Sequence, residues 1–426
     1  MKATELIKFI EAGSLNDTLC SLYGEENVES QKERYIKAAC EFISCYGDIE
    51  CNVFSVPGRS EISGNHTDHN HGEVLAGSIN LDIIAISAKT NDSVIRIKSE
   101  GFPEDSVDIA AYTTPNPDDY FNSGALIAGM AKAFKDGGYN VGGYVAYTTS
   151  NVFKGSGLSS SAAFEVMVGN ILNYLYNGGA VDNVEIAKMA QFAENEFFGK
   201  PCGLMDQMAC AVGGFVHIDF EDTKNPVIEK IDFDMSGAGY ALCIVNTGGN
   251  HADLNDDYAS VPAEMKAVAR FLGCEYLRQT CLADVMVNIN ALREEVGDRA
   301  VLRAYHFFNE NERVKTQAEA LKNGDTDVFL AFVIKSGNSS YKYLQNVYTT
   351  KNVREQGLSL ALALTENLLC DTGAAYRVHG GGFAGTIQAF VPFEHVASYK
   401  EEIDSALGAG ACHILRIRKE GAIKVI

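Results

Sequence analysis

Residues 154–165 read KGSGLSSSAAFE, and how this stretch folds decides how the rest of the chain is read. A strand-like run, Tyr144–Thr149, precedes it. After it, Phe164, Val168, Ile171, Leu172 and Leu175 fall on one face of a helix predicted over Ser161–Tyr176. Gly155 and Gly157 permit tight turns, and three serines bring hydroxyls and backbone N–H groups to the start of that helix. Unpaired N–H groups and the helix dipole both favour an anion there, so the segment is read as a phosphate-binding turn. A serine N-cap would explain one serine but not three following two glycines. The turn is not a Walker A loop, because no GK[ST] follows the glycines. It is not a Rossmann turn either, lacking the third glycine and a ribose-binding acid. A literal GxGxxG occurs at Gly380, Gly382 and Gly385, but it leads into the strand-like TIQAFV rather than a helix. Three consecutive glycines there are read as letting the backbone approach something closely.

Working outward, a second helix is predicted from about Val184 to Phe198, with Ile186, Ala190, Ala193 and Phe197 on its apolar face. Glu194 shares that face. A buried carboxylate is costly unless it meets a cation or several donors, so a salt bridge and a Mg2+ site are equally good explanations of it. In KPCGLMDQ (200–207), Asp206 stands among Leu204, Met205 and Met208. It either caps the next helix or orients and deprotonates a hydroxyl nucleophile, and residue type leaves both open. Residues 57–72, PGRSEISGNHTDHNHG, gather Arg59, Glu61, Asn65, His66, Asp68, His69 and His71 between two strands. A zinc or iron site completed by His251 and Asp253 is one reading. Histidines two and three residues apart on a loop match no standard ligand pattern, and a polar clamp on a polyol is preferred.

At 426 residues the chain exceeds a single core, so two domains are expected. Further strand-like runs are Asn52–Val56, Val74–Ser87, Gly214–Asp219, Tyr240–Asn246, Ala374–His379, Thr386–Val391 and His413–Arg418. Helical stretches lie at Val261–Leu272, Glu310–Leu321 and Glu355–Leu369, and FEDTKNP (220–226) reads as a turn near the domain junction. Irregular alternation of the two types points to α+β rather than a doubly wound parallel sheet. Met1–Gly24 alternates apolar and polar residues and does not read as a signal peptide. No run approaches the roughly 20 apolar residues of a membrane span. The net charge of -21 argues against nucleic-acid or anionic-membrane partners. Eleven cysteines, an odd number without CxxC spacing, suggest reduced thiols in a cytoplasmic protein.

Three motifs, in order, resemble the galactokinase branch of the GHMP kinases. GRSEISGNHTDHNHGEVL is similar to that branch's sugar signature, GRxNxIGEHTDYNxGxVL; SGLSSSAAFEV resembles the shared phosphate loop; VHGGGFAGTIQAFV resembles the C-terminal glycine motif. ENEFFGKPCGLMDQM matches the segment that carries the family's Mg2+-binding Glu and catalytic Asp. The resemblance implies a two-domain α+β fold: a ribosomal-protein-like domain over 1–222, a ferredoxin-like domain over 223–426, and the active site between them. It implies ATP-dependent phosphorylation of the anomeric hydroxyl of galactose, with ATP and Mg2+ and no protein partner required. Arg59 would stand beside the transferred phosphoryl group and Asp206 beside the attacking hydroxyl. Gly155, Ser156, Gly157, Leu158, Ser159, Ser160, Ser161 and Ala162 would bind ATP, and Glu194 with Ser160 or Ser161 would hold Mg2+. His66, Asp68, backbone at Gly203 and Tyr258 (from NTGGNHADLNDDY) would bind the sugar, alongside Glu61 and Asn65. Departures from the signature are Asn65 for its Glu, Glu61 for its Asn and His69 for its Tyr. Replacing an anion by an amide near the sixth carbon suggests that galacturonate, or another variant such as N-acetylgalactosamine, is accepted. A galactose and ATP sensor without catalysis is a further alternative.

Overall fold

The computed structural model describes residues 1–153, 157–249 and 254–426. Three helices, α1 (Ala3–Glu11), α2 (Asn16–Tyr23) and α3 (Val28–Tyr46), lead into two long strands, β1 (Asn52–Ser63) and β2 (Glu73–Lys89). There follow β3 (Val94–Ser99), β4 (Glu104–Asp108), α4 (Ser123–Asp136), β5 (Tyr144–Ser150), α5 (Ser160–Asn177), α6 (Asn183–Phe192) and α7 (Met205–Val212). Next come β6 (Phe215–Asp219), β7 (Val227–Ile231), β8 (Tyr240–Asn246), α8 (Asn255–Phe271), α9 (Leu282–Val287) and α10 (Ile289–Glu295). The chain ends with α11 (Asp298–Lys322), α12 (Thr326–Ser339), α13 (Gly357–Leu369), β9 (Ala375–Val378), β10 (Thr386–Pro392), α14 (Phe393–Leu407), β11 (Cys412–Leu415) and β12 (Ile423–Lys424).

Two sheets result, as the α+β reading expects. The larger runs β12-β1-β2-β5-β3-β4, with β6 also on β2 and β7 on β6; the smaller runs β11-β8-β10-β9. The expected division at 222/223 falls in the loop that joins β6 to β7, two strands paired in register from Phe215↔Ile231 to Asp219↔Val227. β12, from the far end of the chain, pairs with β1 in the same sheet.

Strand β2 shows why the large sheet takes helices on both sides. Ile83 and Ala85 pack into the core formed with α4–α7, whereas Ile84, Ile86 and Ala88 pack under α1–α3. A period of two with apolar residues on both faces gives a continuous apolar run, which is how IIAIS reads. The helices α1–α3 were not evident in the alternation of Met1–Gly24. Leu6, Ile10, Leu19 and Leu22 are buried along their inner faces, and the burial supplies what local pattern did not. Helix α4 and helix α12 also escaped the periodicity reading.

The two sheets meet through buried polar groups as well as apolar ones. Gln388 on β10 donates to the carbonyls of Glu61 (2.8 Å) and Ile62 (3.1 Å) and accepts from Ser60 Oγ (2.9 Å). Arg377 on β9 donates to Ile62 O at 2.7 Å. These bonds hold the sugar-signature end of β1 against the second sheet.

Asp82 on β2 is fully buried and ties the helical cover to the sheet. It accepts from Arg34 Nη1 on α3 (2.7 Å), from Tyr23 OH on α2 and from Ser55 Oγ on β1, with Arg418 Nη1 at 3.3 Å. Burial would raise its pKa, but the charges of Arg34 and Arg418 outweigh it and hold the carboxyl below the ordinary range. Asp82→Asn leaves two largely buried guanidinium groups short of an anion, and breaking such a pair costs roughly 3–5 kcal/mol. We expect urea denaturation to show a loss of that order at neutral pH; an unchanged midpoint would contradict the role given to Asp82.

Candidate active site

The phosphate turn is docked on β1 by its own backbone: Arg59 N donates to Leu158 O at 3.1 Å. Gly155 and Ser156 lie outside the described residues. Gly157 has φ +73°, Leu158 is fully buried and Ser159 adopts a left-handed conformation with φ 59°. Ser159 makes no side-chain cap on α5. Its hydroxyl instead donates to Asp206 Oδ2. The first N–H groups of α5, from Ser160 to Ala162, are therefore left without a side-chain cap, which is the arrangement an incoming phosphate uses.

Asp206 sits within the first turn of α7, and the cap position is Leu204, which makes no side-chain cap bond. The capping reading of Asp206 is therefore not met. Its Oδ1 accepts from Arg59 Nε at 2.8 Å and also from Nη2, while Arg59 Nη1 donates to Gly157 O. Arg59 keeps 9 % of its side chain exposed and Asp206 34 %, so the carboxylate faces solvent and the guanidinium backs it. One ion pair thus joins β1, the phosphate turn and α7.

The second helix is predicted to run to Phe198, but α6 ends at Phe192 and a single π turn, Ala193–Phe197, follows. The extra residue in that turn re-aims Glu194, a common use of a π turn near a functional site. Glu194 is 2 % exposed; Oε1 meets Lys200 Nζ at 2.7 Å and Oε2 accepts from Gln207 Nε2 at 2.7 Å. The same Gln207 Nε2 donates to Glu165 Oε2 at 3.1 Å. Glu165 is fully buried and its Oε1 has no partner. Burial, and then the charge of Glu194, push the Glu165 carboxyl well above the usual range. Glu194 thus meets the Lys200 ammonium, as the salt-bridge reading expects, and the two carboxyl groups share the Gln207 amide, making an oxygen-rich set.

The histidines of 57–72 diverge. His66, in a left-handed conformation, bonds Gly381 O through Nε2 at 2.9 Å; His71 stacks on Tyr276 with ring centroids 3.8 Å apart; His69 is exposed. Among the described residues no three His, Cys, Asp or Glu side chains converge on a metal position, and His251 and Asp253 lie outside those residues. Burial pulls the His66 pKa to about 4, so the ring is neutral at physiological pH. With Nε2–H donating to a carbonyl, Nδ1 is left as an acceptor. Asp68 lies against Gly203, where a Cβ would come within 2.9 Å of Oδ2. Asp68, His69, Cys202 and Gly203 are among the residues lining a cavity of 240 Å³.

Asn65 corrects an expectation. It is fully buried, its amide donates to Glu61 Oε1 (2.8 Å) and Gly380 O (2.7 Å), and its Oδ1 accepts from Asn346 (2.6 Å) and Ser340 (3.3 Å). With every donor and acceptor engaged, it presents nothing to a sugar. The exchange of Glu and Asn relative to the signature therefore builds an internal pair, with Glu61 as its acceptor. Glu61 is 8 % exposed, and its Oε1, which accepts from Asn65, lies 3.8 Å from Arg377 Nη2. Tyr258 OH donates to Gly382 O at 2.8 Å. The glycine motif therefore packs on the sugar signature, and a Cβ at Gly382 would meet Asn346 O at 2.0 Å. Glu165, Lys200, Gln207, Asn346 and Arg377 were not singled out from sequence; Lys200 and Gln207 stand in the very segment that flagged Asp206.

Burial raises the Glu61 carboxyl from 4.5 to about 7, against the pull of Arg377 and Arg59. A raised carboxyl favours the folded state while protonated, and that advantage is lost as pH climbs from the unfolded value through the folded one. Glu61→Gln keeps the acceptor for Asn65 without the charge. We expect its Tm to match the wild type near about pH 5 and to exceed it above about pH 7.5; a Tm difference that does not change with pH would contradict this.

Known proteins resemble the chain along most of its length. Residues 41–89 match the galactokinase galactose-binding signature, and residues 125–214 match the GHMP kinases N terminal domain. A galactokinase of Streptomyces coelicolor is 30% identical over 377 residues, covering 88% of this chain and 94% of its own. One from Clostridium tetani is 28% identical over 371 residues, covering 86% and 90%. The crystal structure of Lactococcus lactis galactokinase complexed with galactose superposes with a TM-score of 0.73 at 23% identity, covering 90% of this chain and 98% of that one. Fold, motif order and full-length similarity agree, and the chain belongs to the galactokinase branch of the GHMP kinases.

Proposed function

We propose that the chain is an ATP-dependent galactokinase, transferring the γ-phosphoryl group to the anomeric hydroxyl of galactose to give galactose 1-phosphate and ADP. The observation that carries this reading is the Arg59–Asp206–Ser159 contact, in which the sugar signature, the phosphate turn and α7 share one carboxylate. Phosphoryl transfer asks mainly for positioning and charge neutralisation. In this reading the N–H groups opening α5 hold the triphosphate. Arg59, already backed by Asp206, stabilises charge on the transferred group. Asp206 orients the anomeric hydroxyl and takes its proton; Oδ2, which accepts from Ser159, retains a lone pair for it, whereas Oδ1 already accepts twice from Arg59. His66 Nδ1, Asp68 and the Gly203 backbone are proposed to hold the sugar hydroxyls, with Tyr258 supporting the glycine motif beneath.

Mg2+ fits the oxygen-rich set around Glu194, which with Ser160 or Ser161 would hold it; when bound it neutralises charge on the phosphates. Glu165 Oε1, buried beside Glu194 without a partner, supports that reading. No helix among the described residues is long and apolar enough to cross a membrane. All eleven cysteines are free thiols, which supports a reducing, cytoplasmic location.

Two outcomes follow. Asp206→Asn should still fold and bind galactose, less stably for want of Arg59's anion, while ADP release falls about 10²- to 10⁴-fold; near-normal turnover would remove Asp206 from the mechanism. In a panel of galactose, galacturonate, N-acetylgalactosamine and glucose with ATP and Mg2+, galactose should be preferred. Asn65 offers no free amide to a sugar acid, so we expect galacturonate to react far less efficiently than galactose. Comparable turnover of galacturonate would contradict the placement of Asn65.

A further inference from the structure

Helices α11 and α12 enclose a groove of 490 Å³ that shares no residue with the cleft described above. Its size is that of small-molecule sites generally. In a chain of net charge -21, three cations line it: Arg313 from α11, Lys335 from α12, and Lys342 from the turn that follows. Neither lysine is paired with a carboxylate among the described residues; Lys335 Nζ lies over the Phe332 ring at 3.9 Å. The acid on the same wall, Glu312, is paired with Lys315 at 3.2 Å. Tyr305 and Tyr343, edge to face at 5.1 Å, also line the groove and offer ring faces suited to the apolar side of a hexose.

Arg313 connects this groove to the sugar signature by two buried routes. Its Nε donates to Glu310 Oε2 at 2.6 Å, and Glu310 Oε1 accepts from Gly64 N at 3.1 Å. Its Nη2 donates to Ser339 Oγ at 2.6 Å, and Ser339 bonds His306 Nδ1 at 2.9 Å. His306 Nε2 then reaches Asn65 O at 3.0 Å. Burial lowers the His306 pKa to about 4, so the ring is neutral, accepting from Ser339 at Nδ1 and donating to the carbonyl from Nε2. Gly64 and Asn65 immediately precede His66.

We propose that this groove is a second ligand site for a sugar phosphate, its phosphate held by Lys335, Lys342 and Arg313, and that occupancy weakens the grip of the Gly64–His66 segment on the substrate sugar. That weakening depends on the Gly64–His66 segment binding the sugar, as in the proposed function. An anion that draws Arg313 from Glu310 and Ser339 slackens both routes at once. Two distinct sites and a contact that differs between their states are what coupling requires, and the effect is reciprocal. The product of the proposed reaction belongs to this ligand class, which makes the groove a product sensor.

The test uses galactose 1-phosphate as the probe, inorganic phosphate as a control, and a Lys335→Ala/Lys342→Ala variant. With the cleft blocked by saturating galactose and a non-hydrolysable ATP analogue, calorimetry should find one galactose 1-phosphate per wild-type chain and at least tenfold weaker binding in the variant. In a second titration, galactose affinity is followed as galactose 1-phosphate is added. Competition in the cleft is common to both proteins, so a further weakening of about fivefold in the wild type alone reads the groove. No binding with the cleft blocked, equal binding in the variant, inorganic phosphate binding as tightly as the sugar phosphate, or superimposable titrations would each overturn the proposal. ADP release without added product, measured in the same preparations, should be unchanged by the two substitutions, which separates failure of the second site from failure of the kinase reading.

Discussion

Arg59 and Asp206 lie 147 residues apart in sequence and meet at 2.8 Å. A guanidinium with 9 % of its side chain exposed is tolerable only beside an anion, and a carboxylate in the first turn of a helix is held there by the helix dipole as well. The pair fixes strand β1 against α7, and Arg59's second arm reaches the Gly157 carbonyl, which brings the phosphate turn to the same point. Everything proposed for catalysis uses this convergence. Sugar, phosphoryl group and proton acceptor must share a few ångströms, and the protein holds its parts of that arrangement in place before any ligand arrives.

A second layer keeps the convergence rigid. Gln388 and Arg377 reach across from the smaller sheet to the carbonyls of Glu61 and Ile62, and the glycine motif lays three carbonyls against Asn65, His66 and Tyr258. Buried polar groups of this kind are costly if left unmatched and specific when matched. The exchange of Glu and Asn at positions 61 and 65 belongs to this layer. It places the carboxylate where Arg377 and Arg59 offset part of its burial and turns the amide inward to Gly380 and Asn346. The same segment is anchored from behind by Glu310 and His306, so the sugar signature is bonded on three sides.

The helix start after the glycine-rich turn and the paired strands of the large sheet were legible because each depends on residue type within a short window. The strand run 83–88 announces burial on both faces, and Gly157 with Ser159–Ser161 announces a helix start without a conventional cap. Other features depend on partners far away in the chain. Nothing around Glu194 signals that α6 gives way to a π turn, because the turn is set by packing of Ala193 and Phe197 against α4. Asn65 reads locally as a substrate contact; only the arrival of Asn346, Ser340 and Gly380 shows that its bonds are already made. Helices α1–α3 and α12 were missed for the same reason, their apolar faces being defined by the sheets they cover.

The central claim is geometric and is tested most directly by a crystal structure with galactose and a non-hydrolysable ATP analogue bound together. The account predicts the triphosphate on the N–H groups of Ser160–Ala162 and the anomeric hydroxyl within about 3.2 Å of an Asp206 carboxylate oxygen. Nucleotide bound elsewhere, or a sugar whose anomeric hydroxyl points away from Asp206, would contradict it.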